Sequence, residues 1–148
     1  MKKLFIISVV FVLLVVLFVM SIPIVNDLTA DAVVRDVENI PLPENNELLE
    51  SISEAGKFTG NGNGMQYFGA VLLRSDLSRD ELDKYYSAYR DTEYTCLVKK
   101  QETGELDSII EHGNLAFKSE LSRDENYYIV YSWGSGIGIY SALDLRGH

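Results

Sequence analysis

Cysteine and histidine are scarce in this sequence of 148 residues, and their scarcity excludes several kinds of site. Cys96 is the single cysteine, so the chain forms no intramolecular disulfide. A zinc site needs three or four ligands at recognisable spacing, and the two histidines, His112 and His148, supply no such pattern. The sequence therefore predicts neither a metal ion nor a cofactor.

Catalytic residues are equally hard to assign. Cys96 lies in the apolar run Tyr-Thr-Cys-Leu-Val, which favours a buried structural thiol, although the fold could bring a histidine beside it. The carboxylates are abundant but scattered, and no Ser-His-Asp arrangement stands out from chance. We predict no catalytic residue.

Charge is absent from one long stretch, Leu4–Ile24, which is rich in Val, Leu, Ile and Phe. About 20 apolar residues in a helix span a bilayer, so this stretch predicts a transmembrane anchor, with Pro23 near its outer end. A cleaved signal sequence is the alternative. Its apolar region is usually about 7–15 residues long, and the only A-x-A pattern nearby is Ala30-Asp31-Ala32, so we favour the anchor.

The flanking charges predict the orientation of this anchor. Lys2 and Lys3 precede the apolar run, and Asp27 and Asp31 follow it, so the N-terminus is expected in the cytoplasm and the rest outside. If the segment is cleaved, the protein is secreted. The predicted division is a cytoplasmic N-terminus (1–3), a transmembrane anchor (4–24), a spacer (25–40) and an extracytoplasmic domain (41–148).

The part after the apolar run is strongly acidic. All 22 acidic residues follow the run, with all but two of the 13 basic ones. Such a surface repels nucleic acid and anionic headgroups. It would attract basic partners or cations, although plain solubility explains the charge as well.

Sequence patterns predict a small α+β domain of order ββαβββ, with a mostly antiparallel sheet and one covering helix. The spacer could form a short helix or an edge strand. Two strands apolar on both faces belong at the centre of the sheet, and Gly69 within the first suggests a bulge or close packing. The other expected strands are weaker. The strand segments are 47–58, 65–74, 94–101, 108–111, 114–118 and 126–134, with a final apolar run at 139–145.

The helix prediction rests on local signals. Ser78 and Glu81 have the spacing of a capping box, and Leu77 with Leu82 forms a hydrophobic staple. An apolar stripe follows at helical spacing, and the helix is expected to fade near residues 90–92. The stripe consists of Leu82, Tyr85, Tyr86 and Tyr89.

Two glycine-rich segments are candidate contact surfaces. The first, GNGNG at 60–64, is either a contact loop or simply a hairpin connection that needs positive φ, and turn chemistry favours the hairpin. It lacks the context of a dinucleotide or phosphate loop. The second is WGSGIG at 133–138. Its first residue, Trp133, is either a binding platform or a cap on the core. The candidate contact residues are Asn61, Gly62, Asn63, Gly64 and Trp133.

Three motifs, GNGNGMQYFGAVLLRSDLSRDEL, YIVYSWG and LDLRGH, resemble a group of small uncharacterised bacterial membrane-anchored proteins. The likeness covers the chain from about Pro41 onward. It implies a bacterial cell envelope and a domain that forms one unit, but it transfers no activity, ligand or catalytic residue.

Two function classes follow from these observations. The first is a membrane-tethered binding or accessory domain that engages another protein or an envelope component. The second is a small envelope hydrolase. The lack of an assembled catalytic set favours the first, and a deep cleft lined by His112 and several carboxylates would favour the second.

Overall fold

The computed structural model describes residues 2–60, 62–106, 109, 111 and 114–148. Three helices, four strands and one short 3₁₀ turn make up this part of the chain. In chain order they are α1 (Lys2–Glu38), β1 (Asn46–Gly56), β2 (Gln66–Ser75), α2 (Arg79–Ser87), β3 (Leu97–Gln101), β4 (Tyr127–Ser135), α3 (Ile139–Leu143) and the 3₁₀ turn Leu145–Gly147.

The four strands form one sheet in the order β1-β2-β4-β3, and every neighbouring pair is antiparallel. β2 and β4, the two strands predicted to be apolar on both faces, lie at its centre. This arrangement confirms the α+β class, because an N-terminal apolar helix is followed by an open antiparallel sheet and short helices.

The helix α1 contains both the apolar run and the segment predicted as a spacer, and it continues through Pro23. It is the one helix of the described residues that is long and apolar enough to cross a membrane. Its second half is not a loose spacer, because a stripe of side chains repeating about every four residues packs onto the sheet. These buried residues are Ile22, Asn26, Ala30, Val34 and Val37.

Gly69 allows α1 to lie directly on β2. A Cβ atom at this position would lie 2.4 Å from the backbone nitrogen of Val34 and 2.8 Å from the carbonyl carbon of Val33. The β2–β4 pairing runs through Gly69 without a break in register, so the glycine serves close packing and not a bulge.

The capping box of α2 is present as predicted. Ser78 Oγ accepts a hydrogen bond from the Glu81 backbone at 3.3 Å, and Glu81 accepts one from the Ser78 backbone at 2.8 Å. Leu82 and Tyr86 are buried, whereas Tyr89 is exposed. The helix ends at Ser87, earlier than expected, because the Tyr89 amide bonds to the carbonyl three residues back.

Each face of the sheet carries its own core. α1 and α2 cover one face, where Val71 and Leu73 of β2 meet Val130 of β4. The chain between β3 and β4 covers much of the other face, where Leu72 and Ile129 pack against Phe117. This alternation matches the two apolar faces that the sequence predicts for β2.

Several predicted strands differ in the structure. The run 139–145 is helical rather than extended, because Gly138 at φ 112° turns the chain after β4. A short apolar run does not by itself distinguish a strand from a helix. Segment 114–118 contributes only an isolated bridge between Ala116 and Glu105, and the prediction for 108–111 falls largely outside the described residues. β3 begins at Leu97, after Cys96 at φ 52°.

The strand β2 runs alongside α1, away from the apolar run. Tyr67 at its start bonds to Asn26, and Gly69 further on meets Val34. The β1–β2 loop (57–65) and the chain after β4 therefore lie at the end of the sheet nearer the apolar run. We call this the proximal end and the opposite one the distal end.

Candidate functional site

An open groove of about 250 Å³ lies at the proximal end, on the sheet face opposite α1 and α2. Most of its wall is aromatic or aliphatic. We call it the aromatic groove; its lining residues are Phe58, Thr59, Phe68, Lys99, Ile109, Ile129, Tyr131 and Trp133.

Strand geometry explains this grouping. Phe68 of β2 pairs with Trp133 of β4, and alternate residues of a strand share one face of the sheet. The Phe58 ring lies 6.0 Å from Phe68 and 5.8 Å from Trp133, and the Tyr94 ring lies 4.3 Å from Trp133. Trp133 is half-buried, so it both closes this part of the core and presents a surface to the groove.

Polar groups are few at the groove. Lys99 is exposed and is the one charged residue of the lining. Burial raises the pKa of Tyr131 above its ordinary value, which is already well above neutral pH, and its protonated phenol can donate a hydrogen bond. The groove thus combines apolar contact with one cation, Lys99, and two hydroxyl-bearing residues, Thr59 and Tyr131.

The GNGNG segment belongs to the hairpin connection between β1 and β2, which pair antiparallel up to Gly56 and Gln66. Gly60, Gly62 and Gly64 all adopt positive φ, as the hairpin interpretation requires. Gly62 and Asn63 are exposed, and Asn61 lies outside the described residues.

The loop joins the aromatic groove to the C-terminal residues. Thr59, just before GNGNG, lines the groove beside Trp133. At its other end, the Gly64 amide donates to the Gly147 carbonyl at 2.6 Å. The two predicted contact segments therefore lie at the same proximal end of the domain.

A second polar cluster at this end was not predicted. Asn26 of α1 is fully buried, accepts a hydrogen bond from the Tyr67 hydroxyl at 2.7 Å and donates to Asp144 at 2.8 Å. Arg146 pairs with Asp144 at 2.8 Å and with Asp27 at 2.6 Å. We call these five residues the polar clasp, since they tie the C-terminal residues to α1.

The clasp was hard to predict, because its residues on α1 and those near the C-terminus are more than 100 positions apart. The available signal was Asn26, a polar residue at the same helical spacing as the apolar residues of the buried stripe. Buried amides need partners, so a distant polar group was to be expected opposite it.

Asp144 is 5% exposed, and the Arg146 guanidinium, with help from Asn26, lowers its pKa from the usual 3.8 to about 2. A lowered folded-state pKa stabilises the fold above the ordinary pKa, and this stabilisation is lost as the pH falls from about 4 to about 2. At ~1.4 kcal/mol per pKa unit, the contribution is about 2 kcal/mol.

We therefore expect Asp144→Asn to lower the free energy of unfolding by about 2 kcal/mol at pH 7 and much less at pH 2. Urea unfolding of the full chain in detergent, followed by Trp133 fluorescence, measures this difference. An equal deficit at both pH values would show that the carboxylate charge contributes nothing.

A polar cleft of about 400 Å³ lies at the distal end. Arg74 occupies its centre and pairs with Glu47 and, at 2.8 Å, with Glu125. The pKa of Glu125 is lowered because Tyr127 donates to its carboxylate and Arg74 lies beside it. Asp76 and Asp124 also line the cleft, so its wall carries two carboxylates besides the two that Arg74 binds.

The residues weighed as catalytic are not assembled in the described part of the chain. Cys96 is buried, its Sγ lies 3.6 Å from the Tyr89 carbonyl oxygen, and burial raises its pKa, which disfavours the thiolate. His148 is exposed, with Nε2 3.1 Å from the Ala142 carbonyl oxygen. His112 lies outside the described residues. Among the described residues, no group of three or more acidic, histidine or cysteine side chains could hold a metal ion.

Comparison of the chain with protein-family models, with curated proteins and with solved structures finds no match. The geometry of the groove and of the proximal end therefore carries the functional argument.

Proposed function

We propose that the protein is a single-pass membrane protein with its domain outside the cytoplasm, and that this domain is a binding or accessory module of a bacterial envelope. Its partner is another envelope protein, which places an apolar or aromatic side chain in the aromatic groove. The observation that carries the proposal is the cluster of aromatic rings around half-buried Trp133, which lines an open groove.

The size of the groove favours a protein partner over a small molecule. Small-molecule sites usually enclose ~300–1,000 Å³ and bury most of their ligand. The aromatic groove has about 250 Å³ and opens to solvent, which suits one anchoring side chain. Half-buried Trp and Tyr residues are also the types that dominate binding energy at protein interfaces.

The chemistry of the aromatic groove supports binding over hydrolysis. The groove contains no carboxylate; the carboxylates lie in the distal cleft, where Arg74 binds two of the four that line it. A hydrolase of envelope material would need an acid or base free to exchange a proton with its substrate.

Photocrosslinking tests the groove with a matched pair of sites. Lys99 and Lys100 are both exposed neighbours in β3, but alternation places Lys99 on the groove face and Lys100 on the opposite face. We expect a photoreactive residue at position 99 to capture an envelope protein in cells, and one at position 100 to capture far less of it.

Trp133→Ala should then weaken capture from position 99. Removing a central aromatic anchor costs about 2 kcal/mol or more, which is roughly a 30-fold loss of affinity. Far-UV circular dichroism of the variant checks that the fold is kept. Equal capture at positions 99 and 100, or capture that survives Trp133→Ala, would contradict a binding role for the groove.

Cysteine labelling tests the proposed orientation. Thr103 is exposed between β3 and β4, whereas Cys96 is buried and gives a low background. We expect a membrane-impermeant maleimide to label Thr103→Cys in intact cells, because positive flanking residues retain the N-terminus inside. Labelling only after lysis would contradict this orientation, and release of the domain into the medium would indicate a cleaved signal sequence.

A further inference from the structure

The chain after β4 exposes more apolar surface than its position in an acidic domain would suggest. Outside α1, the four most exposed large apolar side chains of the described residues all lie in one stretch of nine residues, 137–145. They are Ile137 (97% exposed), Leu145 (85%), Ile139 (59%) and Leu143 (47%). We call residues 136–148 the C-terminal segment.

This segment lies against the part of α1 that is expected inside the bilayer. The Tyr140 ring is 5.7 Å from the ring of Phe18. Phe18 precedes the last residue of the charge-free run, Ile24, by six positions, or about 9 Å of helix. Tyr140 is thus held at the level where an aromatic belt forms, between the acyl chains and the headgroups.

The polar clasp fixes this depth. Arg146 binds Asp27 at 2.6 Å and the Pro23 carbonyl oxygen at 3.3 Å, which marks the level at which charge first appears along α1. Asn26 also donates to the Tyr140 carbonyl at 3.1 Å. The charged groups and the exposed apolar groups therefore occupy neighbouring levels along the helix axis.

Packing also holds the segment in place. A Cβ atom on Gly147 would lie 2.7 Å from the Met65 backbone nitrogen, and one on Gly136 would lie 3.0 Å from the hydroxyl oxygen of Tyr67 in β2. Because the backbone is fixed against the sheet, the exposed side chains are presented by a built surface and not by a loose tail.

The charge distribution favours lipid as the partner that covers the exposed apolar surface of the C-terminal segment. Residues 58–73 and 126–143, which form the two central strands and the chain at their proximal ends, contain no charged residue. The distal end, in contrast, carries an acidic set comprising Glu44, Asp76, Asp80, Asp124 and Glu125. At the proximal end Arg146 pairs with both Asp27 and Asp144, and the large exposed side chains of the C-terminal segment are apolar. An unpaired acidic surface would be repelled by anionic headgroups, whereas an apolar surface can enter the interface.

We infer that the C-terminal segment is a membrane-docking element that enters the interface of the leaflet from which α1 emerges. This inference rests on the proposed anchoring by α1. The inserted side chains are Ile137, Ile139, Leu143 and Leu145. Docking fixes the tilt of the domain and keeps the proximal end, with the aromatic groove, close to the membrane surface.

Spin labelling tests the inference with the full chain, reconstituted at one molecule per nanodisc of phosphatidylcholine and phosphatidylglycerol. A nitroxide is placed on Ile137→Cys or Leu145→Cys, both exposed positions whose replacement removes no core contact. Val12→Cys within the apolar run is the lipid reference, and Leu42→Cys, which follows α1 at the distal end, is the aqueous reference. Frequent collisions of the nitroxide with oxygen indicate a lipid environment, and frequent collisions with a water-soluble nickel chelate indicate an aqueous one.

We expect labels at positions 137 and 145 to collide more with oxygen than with nickel, as at position 12, and the label at position 42 to show the reverse. Labels at 137 and 145 that behave like position 42, while position 12 lies in lipid, would overturn docking and leave the anchor intact. Labels shielded from both reagents would show burial by protein and also overturn docking. Nickel access at position 12 would instead overturn the anchor itself.

Discussion

Tyr86→Ala should lower the free energy of unfolding by about 3–5 kcal/mol, since it removes a whole ring from the core. Tyr86 is 1% exposed and lies with Val71, Leu73 and Val130 between α2 and the sheet. Burial also raises its pKa, which reflects the same apolar surroundings. Urea unfolding of the full chain in detergent, read from Trp133 fluorescence, provides the measurement.

Two variants of the same region calibrate this loss. Ser78→Ala removes the capping hydroxyl of α2 and should cost about 1 kcal/mol. Tyr89→Ala changes a tyrosine that is 41% exposed, against 1% for Tyr86, so we expect a smaller change of about 1 kcal/mol or less. Equal, small effects at positions 78, 86 and 89 would mean that α2 does not pack on the sheet by this face.

Gly69→Ala should cost about 3 kcal/mol, at the upper end of the usual range for overpacking. The new methyl group would meet backbone atoms of Val33 and Val34, and a helix backbone cannot move aside as a flexible side chain can. Relief requires α1 to separate from β2. Faster amide hydrogen exchange in residues 25–38, together with urea unfolding, would show both the cost and its location.

Gly134→Ala is the matched control for this variant. Gly134 lies in the neighbouring central strand β4, and a Cβ atom there meets nothing within 4 Å. We expect its free energy of unfolding to stay within about 0.5 kcal/mol of the parent protein. A similar loss at positions 69 and 134 would attribute the effect to strand glycines in general and not to the α1–β2 contact.

The elements that depend on neighbouring residues were predictable from the sequence. The apolar run of α1, the capping box at Ser78 and the short continuous apolar run of β2 each act over a few positions, where propensity and hydrogen-bond geometry decide. The positive φ of Gly60, Gly62 and Gly64 has the same local origin. These signals led to the α+β class and to the central placement of β2 and β4.

Features that depend on distant partners were not predictable in the same way. The run 139–145 reads equally well as a strand, and only Gly138 and the contact with α1 make it helical. Segment 25–40 showed too weak a pattern to choose helix or strand. In the structure this segment is mostly helical, and it packs where Gly69 of β2 allows the backbone of Val33 and Val34 to approach closely.

The candidate surfaces divide along the same line. Trp133 could be singled out from sequence because a tryptophan beside a glycine-rich segment is a recognisable local feature, yet its partners Phe58 and Tyr94 come from other parts of the chain. The partners that meet in the polar clasp, and the exposed face of the C-terminal segment, could not be assigned from neighbouring residues in the sequence.

The sequence by itself determined the candidate membrane helix, the fold class and the caps and turns, because the free energies behind them arise between residues close along the chain. The tertiary structure alone decided that α1 serves both as the apolar helix and as a wall of the core, and that Asn26 meets Asp144. It also decided that rings from three segments share one groove. Those outcomes depend on contacts that close long loops, and no pattern in a short window of sequence specifies which distant residues will meet.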